Sequence, residues 1–217
     1  MTVVMDYAHF IDENTSIGTP PLVPEIRLHL ATEVIPLWRQ IETETGITNP
    51  PPPYWAFAWA GGQALARYLL DHTDIVASKS VLDFGAGSGL IGIATAKVGA
   101  AKVLCADIDP FADAATDANS RLNAVSTQTT AENVIGRSGW QVIAVGDMCY
   151  ERPLAESLLR WLRGEVAKGA TVLIGDPGRS YFPKTGVEKL AEYTVPTPRD
   201  LEDRDVRQTG VFRLLRE

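Results

Sequence analysis

The stretch Val81–Gly92, VLDFGAGSGLIG, decides how the rest of the chain is read. A strand that ends in several glycines and feeds a helix lets a ligand come close to the backbone, with helix N-terminal amides available to an anion or polar group. A small-molecule cofactor is therefore expected against Gly85, Gly87 and Gly89. Working outward, GGQALARYLLDH before the turn and GLIGIATAKVGA after it read as helices, and AKVLCADID as the second strand. A helix opened by Pro110 follows, then a weak third strand in TQTTAEN and a strong fourth in WQVIAVGD. Leu154, Leu158, Leu162 and Val166 form one stripe of a helix, and ATVLIGD is a fifth strand. This alternation signals a parallel sheet with helices on both faces. AEYTVP and TGVFRLL add a C-terminal hairpin, and the segment between Glu132 and Gly139 leaves little room for a helix.

Gly87, Gly89 and Gly92 also fit the G-x-G-x-x-G spacing of dinucleotide binders, so an NAD-dependent oxidoreductase stays open. Asp83 favours a different cofactor. A carboxylate beside the turn opposes a pyrophosphate but attracts the ammonium of a methionine moiety, directly or through a water. The frame D-x-G-x-G-x-G, Asp83 to Gly89, resembles the first motif of Rossmann-like S-adenosylmethionine-dependent methyltransferases. Asp107, ending the second strand, is placed to accept two ribose hydroxyl hydrogen bonds, which suits either cofactor. Asp109 reads as the cap of the helix that Pro110 starts.

In an open parallel sheet the chemistry sits beyond the C-terminal strand ends, where strand order reverses. The fourth strand ends there in GDMCY, Gly146–Tyr150. Enzymes that methylate bases or glutamines carry Asn/Asp-Pro-Pro-aromatic at this point. The similar NPPPPY at 49–54 precedes the glycine turn, and Pro51 has no side-chain acceptor for an amine, so the proline run reads as a stiff connector leading into the site. Trp55, Phe57 and Trp59 alternate and can share one face of an extended segment, with core packing the expectation for Trp55 or Phe57. Trp59 is the candidate wall beside the cofactor, with the backbone of Gly61 and Gly62 approaching it.

PPYWAFAWAGGQALARYLLD, VLDFGAGSGLIGIA, ADIDP, GDMCY and VLIGDPGR occur in this order. Together they resemble the electron transfer flavoprotein beta-subunit lysine methyltransferase family, with Ala60 where the family is expected to carry Pro. The resemblance covers most of the chain. It implies a Rossmann-like seven-stranded, mostly parallel sheet with helices on both faces, a C-terminal antiparallel hairpin and an N-terminal helical extension. It implies S-adenosylmethionine as cofactor and a protein lysine as acceptor, on electron transfer flavoprotein beta subunit or, as in wider relatives, on a ribosomal protein. By the Asp/Glu-x-x-aromatic motif of these enzymes, Asp147 orients the incoming amine and Tyr150 walls the lysine channel. A carboxylate capping the next helix is the structural alternative for Asp147. Asp176 and Arg179 of IGDPGR are assigned to the substrate face, although an Asp-Pro-Gly turn is favourable in any protein. Methylation of a small-molecule amine, or a cofactor-binding protein without catalysis, are the other readings.

At 217 residues and 45% hydrophobic, the chain supports one substantial core. The expected division is an extension over residues 1–50 and a methyltransferase domain over 51–217. PEIRLHLATEVIPLWRQIE, residues 24–42, has approximate helical spacing, with Pro36 expected to kink or divide it. A net charge of −7 argues against nucleic acid as a partner, since that affinity rests on many Lys and Arg contacts. Cys105 and Cys149 are expected to be buried bystanders in a reducing compartment. His9, His29 and His72 lack ligand spacing, so no metal is expected. The start of the chain lacks a signal or transit pattern, and no segment is apolar for long enough to span a bilayer. The expectation is a cytoplasmic, bacterial protein working as a monomer.

Overall fold

The structure, a computed structural model, describes residues 5–197 and 205–216, so the first four residues of the extension lie outside it. The chain opens with helix α1 (Tyr7–Asn14), a two-stranded antiparallel ribbon of β1 (Ser16–Gly18) and β2 (Leu28–Leu30), and helix α2 (Val34–Thr45). Helix α3 (Ala60–Asp71) leads into β3 (Ser80–Phe84), α4 (Leu90–Lys97), β4 (Lys102–Ala106), α5 (Pro110–Leu122) and β5 (Gln128–Thr130). Next come β6 (Val142–Gly146), α6 (Arg152–Ala167) and β7 (Thr171–Asp176), and the hairpin of β8 (Val187–Pro196) and β9 (Val206–Leu214) closes the fold.

The main sheet has seven strands in the order β5-β4-β3-β6-β7-β9-β8, parallel from β5 to β7 and antiparallel through the hairpin. Strand order reverses at β3, which pairs with β4 on one side and β6 on the other. Side chains alternate across the sheet. Val81, Val142 and Leu173 pack with Leu65 and Leu69 of α3, while Leu82, Phe84, Ile143 and Val145 pack with Leu158, Trp161 and Leu162 of α6. No helix intervenes between β5 and β6, as the short 132–139 segment predicts. Leu158 and Leu162 of the expected α6 stripe are buried, with Leu154 and Val166 half-buried beside them.

The extension departs from expectation. Residues 24–42 are not one helix: Leu28–Leu30 form a strand against Ser16–Gly18, and α2 begins only at Val34. Pro36 is the third residue of α2, in the first turn, where backbone N–H groups have no intrahelical acceptor to lose, so the helix runs through it undivided. The lead segment is also helical, because Asp6 caps α1 by accepting from His9 N at 3.1 Å. Phe10 and Ile11 of α1, Leu37 and Ile41 of α2 and Phe111, Ala112 and Ala115 of α5 share one apolar cluster.

Asn119 of α5 joins the extension to the glycine turn. Its buried amide accepts from His29 N at 2.7 Å and donates to Ser88 O at 2.8 Å. Asn119→Ala strands both groups at once, so a stability loss of about 2 kcal/mol is expected, a Tm drop of about 4–8 °C in a chain of this size. A thermal melt within 1 °C of wild type would remove Asn119 from that role.

Candidate functional site

A cavity of about 530 Å³ opens beyond the C-terminal ends of β3, β4, β6 and β7, around the point where strand order reverses. That volume lies in the range of small-molecule sites. One end is the glycine turn, where Gly85 (φ +66°) and Gly87 (φ +52°) line the cavity in left-handed conformations that side chains rarely adopt. A Cβ on Gly85 would lie 2.4 Å from the Met148 sulfur, so a side chain here would displace Met148 as well as strain the backbone. Beside it, Asp107 accepts from Gly87 N and from Asp109 N, each at 3.0 Å, one bond per carboxylate oxygen. Each oxygen retains a lone pair for a further donor. Asp109 caps α5 as expected, accepting from Phe111 N at 2.9 Å, and burial pushes its carboxyl up to about 6.

Asp83 and Gly89 are not brought to the cavity wall. Asp83 projects to the α4 face of the sheet, where its Oδ2 accepts from Gly92 N at 2.8 Å. Its Oδ1 is buried without a partner, and burial pushes the carboxyl up to about 7. The alternation that sends Leu82 and Phe84 toward α6 sends Asp83 under the turn. Gly89 (φ +77°) packs there against Thr116 of α5.

The other end of the cavity is built around Asp147, held at φ +59°. Its Oδ1 accepts from Arg179 Nη2 at 2.8 Å and Nε at 3.2 Å, and its Oδ2 from Gly62 N at 3.0 Å. Asp147 therefore caps a helix, but not the next one. It satisfies a first-turn amide of α3, whose own N-cap residue, Trp59, makes no side-chain cap bond. The Arg179 guanidinium lies 5.6 Å from the Trp59 ring centroid, so it faces an aromatic surface and a carboxylate together. Asp176 lies beneath the cavity wall: its Oδ1 accepts from Gly178 N and Arg179 N, each at 2.7 Å, which sets the loop carrying Arg179. Burial pushes Asp176 up to about 6.

Gly61 and Gly62 correct one expectation, because their backbone approaches the sheet and not the cavity. A Cβ on Gly61 would meet Gly175 O at 2.2 Å, and Gly62 lies against Gly146. The extended face expected for the aromatics also fails, since Tyr54–Ala56 form a 3₁₀ turn. Trp55 and Phe57 both enter the core, with Trp55 stacked on Phe111 at a 5.8 Å centroid distance, and Trp55 and Trp59, but not Phe57, line the cavity.

Met148 of GDMCY lines the cavity, while sequence reasoning missed Tyr54, Ile108, Asn133 and Val134, which line it too. Tyr54 contacts both Trp59 and Tyr150, at 5.5 and 5.8 Å between centroids, and completes an aromatic mouth. Its signal was the proline run, whose Pro51 and Pro52 also line the cavity. Ile108 is 74% exposed between two acids, an apolar side chain out of place unless something covers it. Asn133 and Val134 carry no pattern that marks them. Cys105 and Cys149 are buried free thiols, and burial pushes Cys149 up to about 12. Among the described residues no group of three or more His, Cys, Asp or Glu could hold a metal ion, and no helix is long and apolar enough to cross a membrane.

The ribosomal protein L11 methyltransferase (PrmA) family model matches residues 63–145, from α3 through β6. Among solved structures, a ribosomal protein L11 methylase from Lactobacillus delbrueckii subsp. bulgaricus is 19% identical and superposes with a TM-score of 0.52, covering 74% of this chain and 81% of that one. Magnesium protoporphyrin IX methyltransferase from Synechocystis PCC 6803, solved with bound S-adenosylmethionine, is 13% identical with a TM-score of 0.53 over 72% of this chain and 78% of its own. These likenesses establish the methyltransferase type of Rossmann-like fold. The likeness to curated sequences is far greater. The electron transfer flavoprotein beta subunit lysine methyltransferase of Xenopus laevis is 43% identical over 94% of this chain and 85% of its own length, and that of Rattus norvegicus is 39% identical over 94% and 82%. The glycine turn, the Asp147–Arg179 pair and the aromatic mouth thus lie in a chain that belongs to the electron transfer flavoprotein beta subunit lysine methyltransferase family.

Proposed function

We propose that this protein transfers methyl groups from S-adenosylmethionine to a lysine of electron transfer flavoprotein beta subunit, in the cytoplasm and as a monomer. The observation that carries the reading is one cavity with two unlike ends. At the first end, an acid with open lone pairs lies beside a side-chain-free turn and an exposed isoleucine. At the second, a carboxylate is set inside an aromatic mouth. The donor set fits a nucleoside joined to an amino acid: Asp107 would accept from the ribose, Ile108 would cover the adenine, and Gly85 and Gly87 would admit the methionine backbone. Asp83 acts from beneath, fixing the turn through Gly92. When bound, S-adenosylmethionine supplies an electrophilic methyl group on a sulfonium.

The residues at the second end handle the acceptor. Tyr54, Trp59 and Tyr150 form a slot for the long apolar stem of a lysine, with Trp59 anchored by its indole N–H to Tyr54 O at 2.8 Å. The attacking nitrogen must be neutral, and a free lysine at pH 7 costs about 4.6 kcal/mol to deprotonate. Asp147 would orient the amine at the cavity floor, with its lone pair turned toward the cofactor end of the cavity. The amine would reach Asp147 having lost its proton to solvent through the open mouth between Tyr54 and Tyr150.

The test is mass spectrometry of recombinant electron transfer flavoprotein incubated with the protein and S-adenosylmethionine. Lysine increments in multiples of one methyl group on the beta subunit are expected. Their absence despite cofactor binding would sink this substrate. A ribosomal protein would then be the acceptor to try, because the family model matching residues 63–145 is that of a ribosomal protein methyltransferase.

A further inference from the structure

We infer that Arg179 sets the protonation state of the incoming lysine: its fixed positive charge beside Asp147 keeps the site from holding that lysine as ammonium. This deepens the lysine methyltransferase reading and rests on it. A lone carboxylate at the cavity floor would bind lysine well and methylate it badly, since it favours the ammonium form, which has no lone pair to attack with. The guanidinium lies within hydrogen-bond distance of Asp147 Oδ1 through two nitrogens, and its carbon faces the Trp59 ring at 5.6 Å. Those are the carboxylate and the aromatic surface that a lysine ammonium would itself seek. With Arg179 in place a second cation is penalised there, while a neutral amine still finds a hydrogen-bond acceptor.

The placement of Arg179 is built in rather than incidental. Asp176 holds the Arg179 and Gly178 amides, and Gly178 takes φ +90° to make the turn. The arginine side chain is largely buried, at 20% exposure. The other titratable groups at this end of the cavity are Tyr54 before α3 and Tyr150 after β6, with Asp176 at the end of β7 beneath the wall and the buried Cys149 thiol beside it. Asp107, Asp109 and Glu132 face the opposite end. None of these can carry a positive charge, so among the described residues Arg179 is the cationic group at the cavity.

The experiment is single-turnover methylation of electron transfer flavoprotein beta subunit from pH 6.5 to 10 by wild type, Arg179→Met and Arg179→Lys. Removing a like charge within a few ångströms of the amine displaces the acid limb of the rate upward by about one to two pH units in Arg179→Met. The rate at pH 7 falls about 10- to 100-fold, the deficit narrows as pH rises, and KM for the protein substrate does not increase. Arg179→Lys, which keeps the charge but not the fork, keeps the wild-type limb. A uniform loss across the pH range in Arg179→Met, an unmoved limb, or a Lys variant that behaves like the Met variant would each overturn the inference. If wild type adds no methyl group to the substrate, the reading beneath it fails, and the inference with it.

Discussion

Asp147→Ala is expected to reduce kcat/KM for lysine methylation by at least about 100-fold, a loss of about 3 kcal/mol in transition-state stabilisation. The residue serves two sides at once, holding Arg179 with one oxygen and the first turn of α3 with the other. Alanine releases both, and it also strains a backbone at φ +59°. Asp147→Asn separates these effects. Asparagine tolerates that φ and keeps an acceptor for Gly62 N, but the carboxylate's charge is gone. About a tenfold loss is expected, because the neutral amine loses the charged acceptor that orients it and Arg179 loses its ion-pair partner. Steady-state kinetics beside a thermal melt decide the matter: a folded Asp147→Ala protein within threefold of wild-type activity would end the assignment.

Gly61→Ala is expected to cost more than about 3 kcal/mol of stability, a Tm drop of about 6–12 °C. The new Cβ would lie 2.2 Å from Gly175 O and 2.5 Å from Asp147 Oδ2, so the obstruction is mostly backbone that cannot turn away. Gly62→Ala is the matched control. There a Cβ meets only Leu90 Cδ2, at 4.0 Å, and the residue is inside a helix, where alanine is preferred over glycine. That variant should stay within about 1 kcal/mol of wild type. Equal melts for the two variants would mean that α3 does not approach β7 as closely as described.

The domain's strands and helices from α3 onward were legible because each carries its own local signal. Strand runs such as VIAVG, glycines closing the first strand and proline opening α5 act over a few residues. The extension was less legible. Leu28 and Leu30 suit a strand as well as a helix over so short a run, and the choice falls to a partner strand and to the Asn119 amide on α5. Tyr54 was hidden by its neighbours: a proline run reads as a spacer, and only the 3₁₀ turn after it sends Trp55 inward and leaves Tyr54 at the mouth.

The sequence alone determined the sheet, the glycine turn, the placement of Asp107 and Asp147 beyond the strand ends, and the resemblance that pointed to a lysine methyltransferase. These follow from periodicity and turn chemistry, which are properties of neighbouring residues. What each acid does there was decided only by the tertiary structure. Asp83 lies under the turn and not in the cavity, Asp176 shapes a loop from below, and Asp147 is bound at once to Arg179 and to the start of α3. Gly62 and Asp147 are separated by 85 positions, and Asp147 and Arg179 by 32. Hydrogen bonds and ion pairs act over a few ångströms in space whatever the separation along the chain, so no local pattern of residues carries them.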